Sequence, residues 1–455
     1  MLKKYWDILH SSFWFLPSLM VGGAVALAMA TIAVDEAVTD EWLQALGWAY
    51  TGGAEGASSV LGAIAGSMIT IAGVVFSMTL VALSLASSQL GPRLLRNYMR
   101  DTATQVVLGT FISTFVYCLL VLRTIRRADE IAFVPHLSVN IGVLFALVSV
   151  GVLIYFIHHV SISIQADQVV ARVGKELAEE IHRLFPERIG QEQGRPAIES
   201  TDTSIPEAFD REARPVLAGG DGYLQHIDAD TLMTLATQAD VLLRLERRPG
   251  QYVVKGRPLV MVWPGDRVTE EFAAQVRDVF ALGNLRTSDQ DVEFAIHQLV
   301  EIAVRALSPG INDPFTAVAC VDRLGSALCR LAQRKMPSPY RHDEQHRLRL
   351  VAAPITFTEI VDTAFNQIRQ YARPSAAVTI RLLETIAVIA EAVHRPADWA
   401  ALRRHADMIV RGAREGLPEG EDRRAVEDRF EITVGALLES QASRRDHQQG
   451  DHARM

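Results

Sequence analysis

Residues 59–90 read SVLGAIAGSMITIAGVVFSMTLVALSLASSQL, a run without one charged side chain. A helix needs roughly 20 mostly apolar residues to cross ~30 Å of hydrocarbon, so this stretch is long enough to span a bilayer and must tilt or project beyond it. Hydrocarbon offers no partner to backbone N–H and C=O groups, which makes such a run a helix and not a strand. Along it Ser59, Gly62, Gly66, Thr70, Gly73, Ser77, Ser84 and Ser88 recur at steps of three, four or seven, and Leu80 and Val81 interrupt the stripe. Small and hydroxyl residues on one face suit close helix packing. The same face also suits the lining of a pore, with hydroxyls toward water. Both readings stand at this point.

Three further spans lie outward of this one, at 13–34, 106–122 and 137–160, giving a transmembrane domain over 1–160. Trp6, Trp14, Trp42, Trp48 and Tyr50 fall at span ends, where amphipathic rings favour the headgroup layer. Lys3 and Lys4 precede the first span and Arg93, Arg96 and Arg100 fill the second connection, whereas Asp35, Glu36, Asp40, Glu41 and Glu55 occupy the first. The positive-inside bias therefore places both termini in the cytoplasm. Arg123, Arg126 and Arg127 in the third connection run against it, partly offset by Asp129 and Glu130. The first span, with its lysines and Ala28-Met29-Ala30, also imitates a cleavable signal, although its apolar run exceeds the usual ~7–15 residues. No span carries a charge near its middle, so the usual mark of a proton relay or voltage sensor is missing.

Charge is concentrated after residue 160. The whole chain of 455 residues is 49% hydrophobic and 22% charged with a net charge of −8, a balance that gives no basic face for nucleic acid. Cys118, Cys320 and Cys329 lack CxxC spacing and read as core thiols of a reducing compartment. The expected architecture is four membrane helices followed by a cytoplasmic α+β domain, mostly helical with a small β-barrel-like unit. Residues 161–185 form a helical stalk carrying the stripe Val169, Val173, Leu177 and Ile181 and continuing the fourth span, 186–215 a linker, 216–264 the β unit, 265–438 a helical domain and 439–455 a disordered tail.

Within 216–264, Pro249-Gly250-Gln251-Tyr252-Val253 and Gly256-Arg257-Pro258-Leu259 resemble the hairpin of biotinyl- and lipoyl-like barrels. The lysine that would carry a prosthetic group is not found at its usual hairpin, and Lys255 has the wrong context, so no cofactor is expected. Further on, Val292, Ala295, Ile296, Leu299, Ile302, Ala303 and Ala306 form an apolar stripe at helical spacing. The opposite side carries Glu293, His297, Glu301 and Arg305 at i, i+4 steps, which reads either as a solvated ion-paired face or as a pH-responsive or ligand-binding one.

Ser308-Pro309-Gly310-Ile311-Asn312-Asp313-Pro314 has the grammar of a helix–turn–helix junction. Gly310 suits the left-handed residue that closes one helix, Asp313 an N-cap and Pro314 the first position of the next. The N–H groups of that helix start are also an anion-binding feature, beside which Arg286, Arg305, Asn312 and Thr316 would gather. The ligand-site candidates are thus Arg286, His297, Glu301, Arg305, Ser308, Asn312, Asp313 and Thr316. Arg369, Tyr371 and Arg373 before Pro374 make a small basic-aromatic cluster, read as a helix end or a binding site. His342 and His346 have metal-ligand spacing without the HExxH pattern, so neither a metal nor a catalytic residue is assigned.

The text ALSPGINDPFTA at 306–317 and QIRQYARPSAAVTIRLLE at 367–384, with the four-span N-terminus, resembles the bacterial predicted-membrane-protein family catalogued as domain of unknown function 2254. That resemblance covers nearly the whole chain. It implies the topology and membrane location and brings no reaction, so no catalytic residue follows from it. Three functions fit: a homo-oligomeric pore or transporter for a small ion or metabolite, a membrane-anchored sensor or scaffold, and a membrane enzyme using the loop around Asn312 and Asp313.

Overall fold

The structure is a computed structural model that describes residues 14–37, 53–91, 101–126, 133–163, 165–186 and 204–452. The N-terminal lysines, Trp6, most of the first connection with Trp42, Trp48 and Tyr50, the loop residues Arg93, Arg96, Arg100, Arg127, Asp129 and Glu130, and 187–203 of the linker lie outside the described residues. The chain divides into two units, Met1–Val169 and Val170–Met455.

In the first unit, α1 (Phe15–Ala37), α2 (Ala54–Leu90), α3 (Thr102–Thr124) and α4 (His136–Ser163) are long and apolar enough to cross a membrane. Helix α2 has 37 residues, about 55 Å at the helical rise. Helix α3 is central: it packs against the other three and buries Val107, Phe111, Tyr117, Cys118 and Val121. It comes close to α1 at Gly109, where a Cβ would stand 2.5 Å from Met20 Sδ and 3.2 Å from Pro17 Cα. Outward faces are apolar, with Leu19 and Met29 on α1, Ile69, Val74 and Val81 on α2, and Leu144, Leu147, Ile154 and Ile157 on α4 all exposed. A surface of that kind suits hydrocarbon and not water.

Several polar groups of this unit pair across helices. Asp35 lies in the last turn of α1, not in the connection, and accepts from Leu137 N at 2.8 Å, Ser138 N at 2.9 Å and Ser138 Oγ at 2.6 Å. A carboxylate thereby satisfies free N–H groups in the first turn of α4. Buried beside it, Tyr117 OH donates to Ser138 O and meets Thr31 Oγ1, each at 3.1 Å. At the other end of α3 and α4, Asp101 caps α3 and stands 2.8 Å from His159 Nε2.

The fourth span ends at Ser163, and α5 (Ala166–Leu184) begins as a separate helix after a turn in which Gln165 N donates to Ile162 O. In the second unit α5 buries Val170, Val173, Leu177 and Ile181. A short helix, α6 (Phe209–Glu212), leads to β1 (Arg214–Leu217), β2 (Gly222–Ile227), α7 (Ala229–Gln238), β3 (Leu242–Leu245), β4 (Tyr252–Val253), β5 (Pro258–Trp263), α8 (Glu270–Asp278) and β6 (Phe280–Gly283). Then come α9 (Val292–Ala306), α10 (Pro314–Ala332), β7 (Tyr340–His342), β8 (Leu348–Val351) and α11 (Phe357–Tyr371), followed by α12 (Ala376–Ala392), α13 (Pro396–Gly416) and α14 (Gly420–His452).

The expectation of a barrel-like unit is corrected. The strands form two sheets, ordered β1-β5-β3-β8-β7 and β4-β2-β6, and neither closes. The supposed hairpin is split between them: β4 pairs with β2, while β5 pairs with β1 and β3. Gly256, at φ 79°, makes the crossing, donating its N–H to Ala218 O at 2.9 Å. Strand β8, supplied from beyond α10, adds parallel to β3. Val216, Leu224, Leu243, Val260, Val276 and Phe280 fill the core that α7 and α8 share with these strands.

The remaining helices pack pairwise, α9 on α10 and α11, α12 on α10, α13 and α14, and α11 on α13. Helix α14 runs to His452, into the stretch expected to form a tail, and Ser440 Oγ still donates to Ala390 O at 2.6 Å.

The α1–α3 crossing yields a test. Gly109→Val forces Met20 aside, an overpacking worth about 1–3 kcal/mol, so the purified protein in detergent is expected to unfold at a lower temperature. Gly151→Val, at a position with nothing within 4 Å, is the matched control. Equal thermal unfolding of the two variants would rule out the close crossing.

Candidate functional site

The stripe on α2 turns away from the other described residues. Ser59, Gly62, Gly66, Thr70, Gly73, Ser77, Ser84 and Ser88 are all exposed, and a Cβ built on Gly62, Gly66 or Gly73 meets nothing within 4 Å. Contact with α3 and α4 uses a different face, in which Ala57, Leu61, Ala65, Met68, Ala72 and Val75 are buried. Helix α2 thus has two small-residue faces, and among the described residues only the alanine-rich one is occupied. Some hydroxyls of the open face return to their own backbone, Thr70 Oγ1 to Gly66 O at 2.8 Å and Ser88 Oγ to Leu85 O at 2.9 Å.

The junction at 308–314 folds as a turn with one change of actor. Asn312, at φ 51°, is the left-handed residue and Gly310 is not. Asparagine tolerates that conformation because its short polar side chain can bond locally. Asp313 caps α10, accepting from Thr316 N at 3.1 Å and Thr316 Oγ1 at 2.5 Å, and Pro314 opens the helix. Ser308 Oγ donates to Arg305 O at 2.6 Å, and Asp313 N to Ala306 O at 2.8 Å. These bonds absorb much of the turn's polarity locally.

The candidates divide between the two ends of α9. Arg286 grips Asp291 with Nε at 2.8 Å and Nη2 at 2.9 Å, and buried Asp291 is the N-cap of α9. Asn312 and Thr316 lie past the other end of that 15-residue helix, roughly 20 Å away at the helical rise. The gathering of Arg286 with them does not occur. Glu301 and Arg305 form an i, i+4 pair at 3.5 Å, and His297 is half-buried on the same helix. Gly250, at φ 88°, lies over the Arg286–Asp291 pair, where a Cβ would sit 2.2 Å from Asp291 Oδ2.

Among the described residues no group of three or more His, Cys, Asp or Glu is placed to hold a metal ion. Cys118 and Cys320 are buried and Cys329 half-buried, all as free thiols.

Sequence reading missed Glu180, a charged-type residue within the apolar pattern of α5. It is buried, and its Oε2 has no hydrogen-bond partner. Burial pushes its carboxyl up to about 8; Arg183 and a bond from Ser288 oppose that shift, while Glu176 and Asp291 add to it. Arg183 donates to the carbonyls of Ser288, at 3.0 Å, and of Asp289. This fastens α5 to the loop that leads into α9.

Four apolar helices whose outer faces suit hydrocarbon, joined to a larger α+β unit, define a multi-pass helical membrane protein. The family model described as predicted membrane protein (DUF2254) matches residues 10–388, and the chain belongs to that family. Uncharacterised proteins of Mycobacterium tuberculosis and Mycobacterium bovis are each 31% identical over 434 residues, covering 93% of this chain and 80% of theirs. No solved structure matches.

Two outcomes follow from this geometry. Asp313→Ala removes a helix cap and is expected to cost about 1 kcal/mol, read as a lower unfolding temperature; an unchanged temperature would contradict the capping role. For Glu180, the folded carboxyl keeps its proton to about pH 8, whereas the unfolded chain releases it near the ordinary glutamate value. The unfolded state therefore binds fewer protons between those points, so this contribution is full below the lower value and is lost as pH rises toward 8. Glu180→Gln, uncharged throughout, is expected to reduce the fall in unfolding temperature between pH 5 and pH 8 by several degrees. An identical pH profile in the variant would contradict the buried carboxyl.

Proposed function

We propose that the protein is a homo-oligomeric channel- or transporter-like protein of the bacterial cytoplasmic membrane, with the second unit as its cytoplasmic regulatory domain. The observation that carries this reading is the open face of α2. Glycine and serine facing lipid gain nothing over leucine, whereas against another helix they let backbones approach and hydroxyls bond across the contact. A copy of α2 from a neighbouring subunit, or a water-filled axis between copies, supplies the environment this face lacks in one chain. The acidic first connection and the basic second one support cytoplasmic termini. A second reading, a membrane-anchored ligand sensor or scaffold, draws on the size of the unit Val170–Met455.

Two measurements on one preparation test the proposal. With Cys118, Cys320 and Cys329 replaced by Ala, Gly66→Cys and Gly73→Cys are expected to cross-link between copies in membranes, and Ile154→Cys, on the outer face of α4, is not. Liposomes carrying the full-length protein are expected to pass potassium or chloride, and Gly73→Leu to lower that flux at least tenfold. Cross-linking without flux of any ion or small solute would favour the scaffold, and absence of both would remove the oligomer as well.

A further inference from the structure

The basic-aromatic stretch at the end of α11 acquires a partner in the fold that its sequence does not announce. Helix α11 packs against α13, and Asp362, Asn366 and Arg369 follow one another at steps of four and three along α11, which places them on one face, with Arg373 in the turn just past its end. From α13, Arg404 Nη2 reaches Asp362 Oδ1 at 2.5 Å, and the fully buried His405 brings Nε2 to the same oxygen at 2.7 Å. At the other end the Arg373 side chain runs along Gly412 of α13, where a Cβ would stand 3.3 Å from its Cγ and 3.6 Å from its Nε. A Cβ at 412 would press on that arginine.

The charges along this groove do not balance. Asp362 is already shared by Arg404 and His405, and Glu415 meets Arg373 only at 3.6 Å in an exposed pair. Arg369, half-buried, bonds a neutral acceptor: Nε and Nη2 both point to Asn366 Oδ1, at 3.3 and 3.1 Å. Arg411, exposed at the rim, has no ion-pair partner among the described residues. Burial, then repulsion from Arg373 and Arg411, holds the Arg369 guanidinium below its ordinary pKa, which the Asp362 carboxylate only partly offsets. A half-buried cation without a counter-charge is costly, and forked guanidinium donors match the oxygens of phosphate-type anions in pairs.

We propose that the groove between α11 and α13 binds a multivalent oxyanion of the phosphate class, whose oxygens take the place of the missing carboxylates at Arg369 and Arg411, flanked by Arg373 and Arg404. The same chemistry belongs to a soluble di- or triphosphate and to an anionic lipid headgroup. The proposal rests on nothing in the reading of α2.

The full-length protein in phosphatidylcholine nanodiscs is titrated with inorganic pyrophosphate while its unfolding temperature and the heat of binding are followed. A second set of nanodiscs contains phosphatidylglycerol and receives no pyrophosphate. Pyrophosphate is expected to raise the unfolding temperature progressively, as a ligand of the folded state must, and Arg369→Met with Arg411→Met to weaken binding at least tenfold. Arg403→Ala, whose parent side chain pairs with Asp407 and lies over Phe430, is expected to bind as the unmodified protein does. Without ligand, Arg369→Met is expected to unfold no earlier than the unmodified protein, since it loses an uncompensated cation; a purely structural arginine would make it unfold earlier. A shift seen only with phosphatidylglycerol and abolished by the double variant assigns the site to a lipid headgroup. Absence of any shift in both arms, or equal binding by the double variant, overturns the proposal, as does an equal loss in Arg403→Ala.

Discussion

Hydrocarbon gives a polar group nothing to bond to, and that constraint shapes the first unit residue by residue. Asp35 is tolerable where it lies because three donors at the start of α4 converge on it. Tyr117 is buried because Thr31 and the Ser138 carbonyl meet its hydroxyl, and Thr114 faces Ser149 at 3.3 Å for the same reason. These bonds connect α1, α3 and α4 through side chains, while the buried residues of α2 lie along its alanine-rich face.

The second unit obeys a different solvent and uses different fastenings. Aspartate or threonine caps start α7, α8, α9, α10 and α11, and Thr356 with Glu359 completes a capping box on α11. Arg248 adds two bonds to that glutamate, at 3.2 and 3.0 Å, and holds its carboxyl down to about 2. Such side chains link the strand-rich part to the helices that follow it, so the two sheets and the helical layer share one framework. Glu180 goes the other way from Glu359: burial pushes its carboxyl up instead of a cation holding it down.

How much of this was legible depended on whether the signal was local. Membrane spans are carried by composition over about twenty residues, and the stripe of α9 and the caps at Asp313 and Pro314 by spacing within one or two turns, so each could be read in the sequence. Pairings between distant segments had no such mark. That β4 pairs with β2 while β5 pairs with β1 and β3 has no local mark, and neither has β8, which joins β3 from about ninety residues further on. Arg286 could not be assigned to Asp291 in preference to the turn at Asn312 without knowing which end of α9 it faced. The two faces of α2 are both small and apolar, and only packing tells the occupied one from the open one.

The arginines of the second unit show how such a difference becomes informative. Burial works against Arg244 and Arg349, yet the carboxylates paired with each outweigh it and raise their pKa; for Arg381 the bonds to Asp322 and Glu384 dominate from the start. Asp240 alone, at φ 51°, meets Arg267, Arg347 and Arg349, closing the turn before β3 onto β8. In that cluster every cation has an acid, and its role in joining two parts of the chain accounts for its residues. The α11–α13 groove has the same residue types and too few acids, since Asp362 is shared by Arg404 and His405 while Arg369 bonds only the neutral Asn366. Sequences drift toward local consistency unless something else selects against it, so where one cluster is neutralised and a neighbouring one is not, the unneutralised one is where a counter-charge from outside the chain belongs.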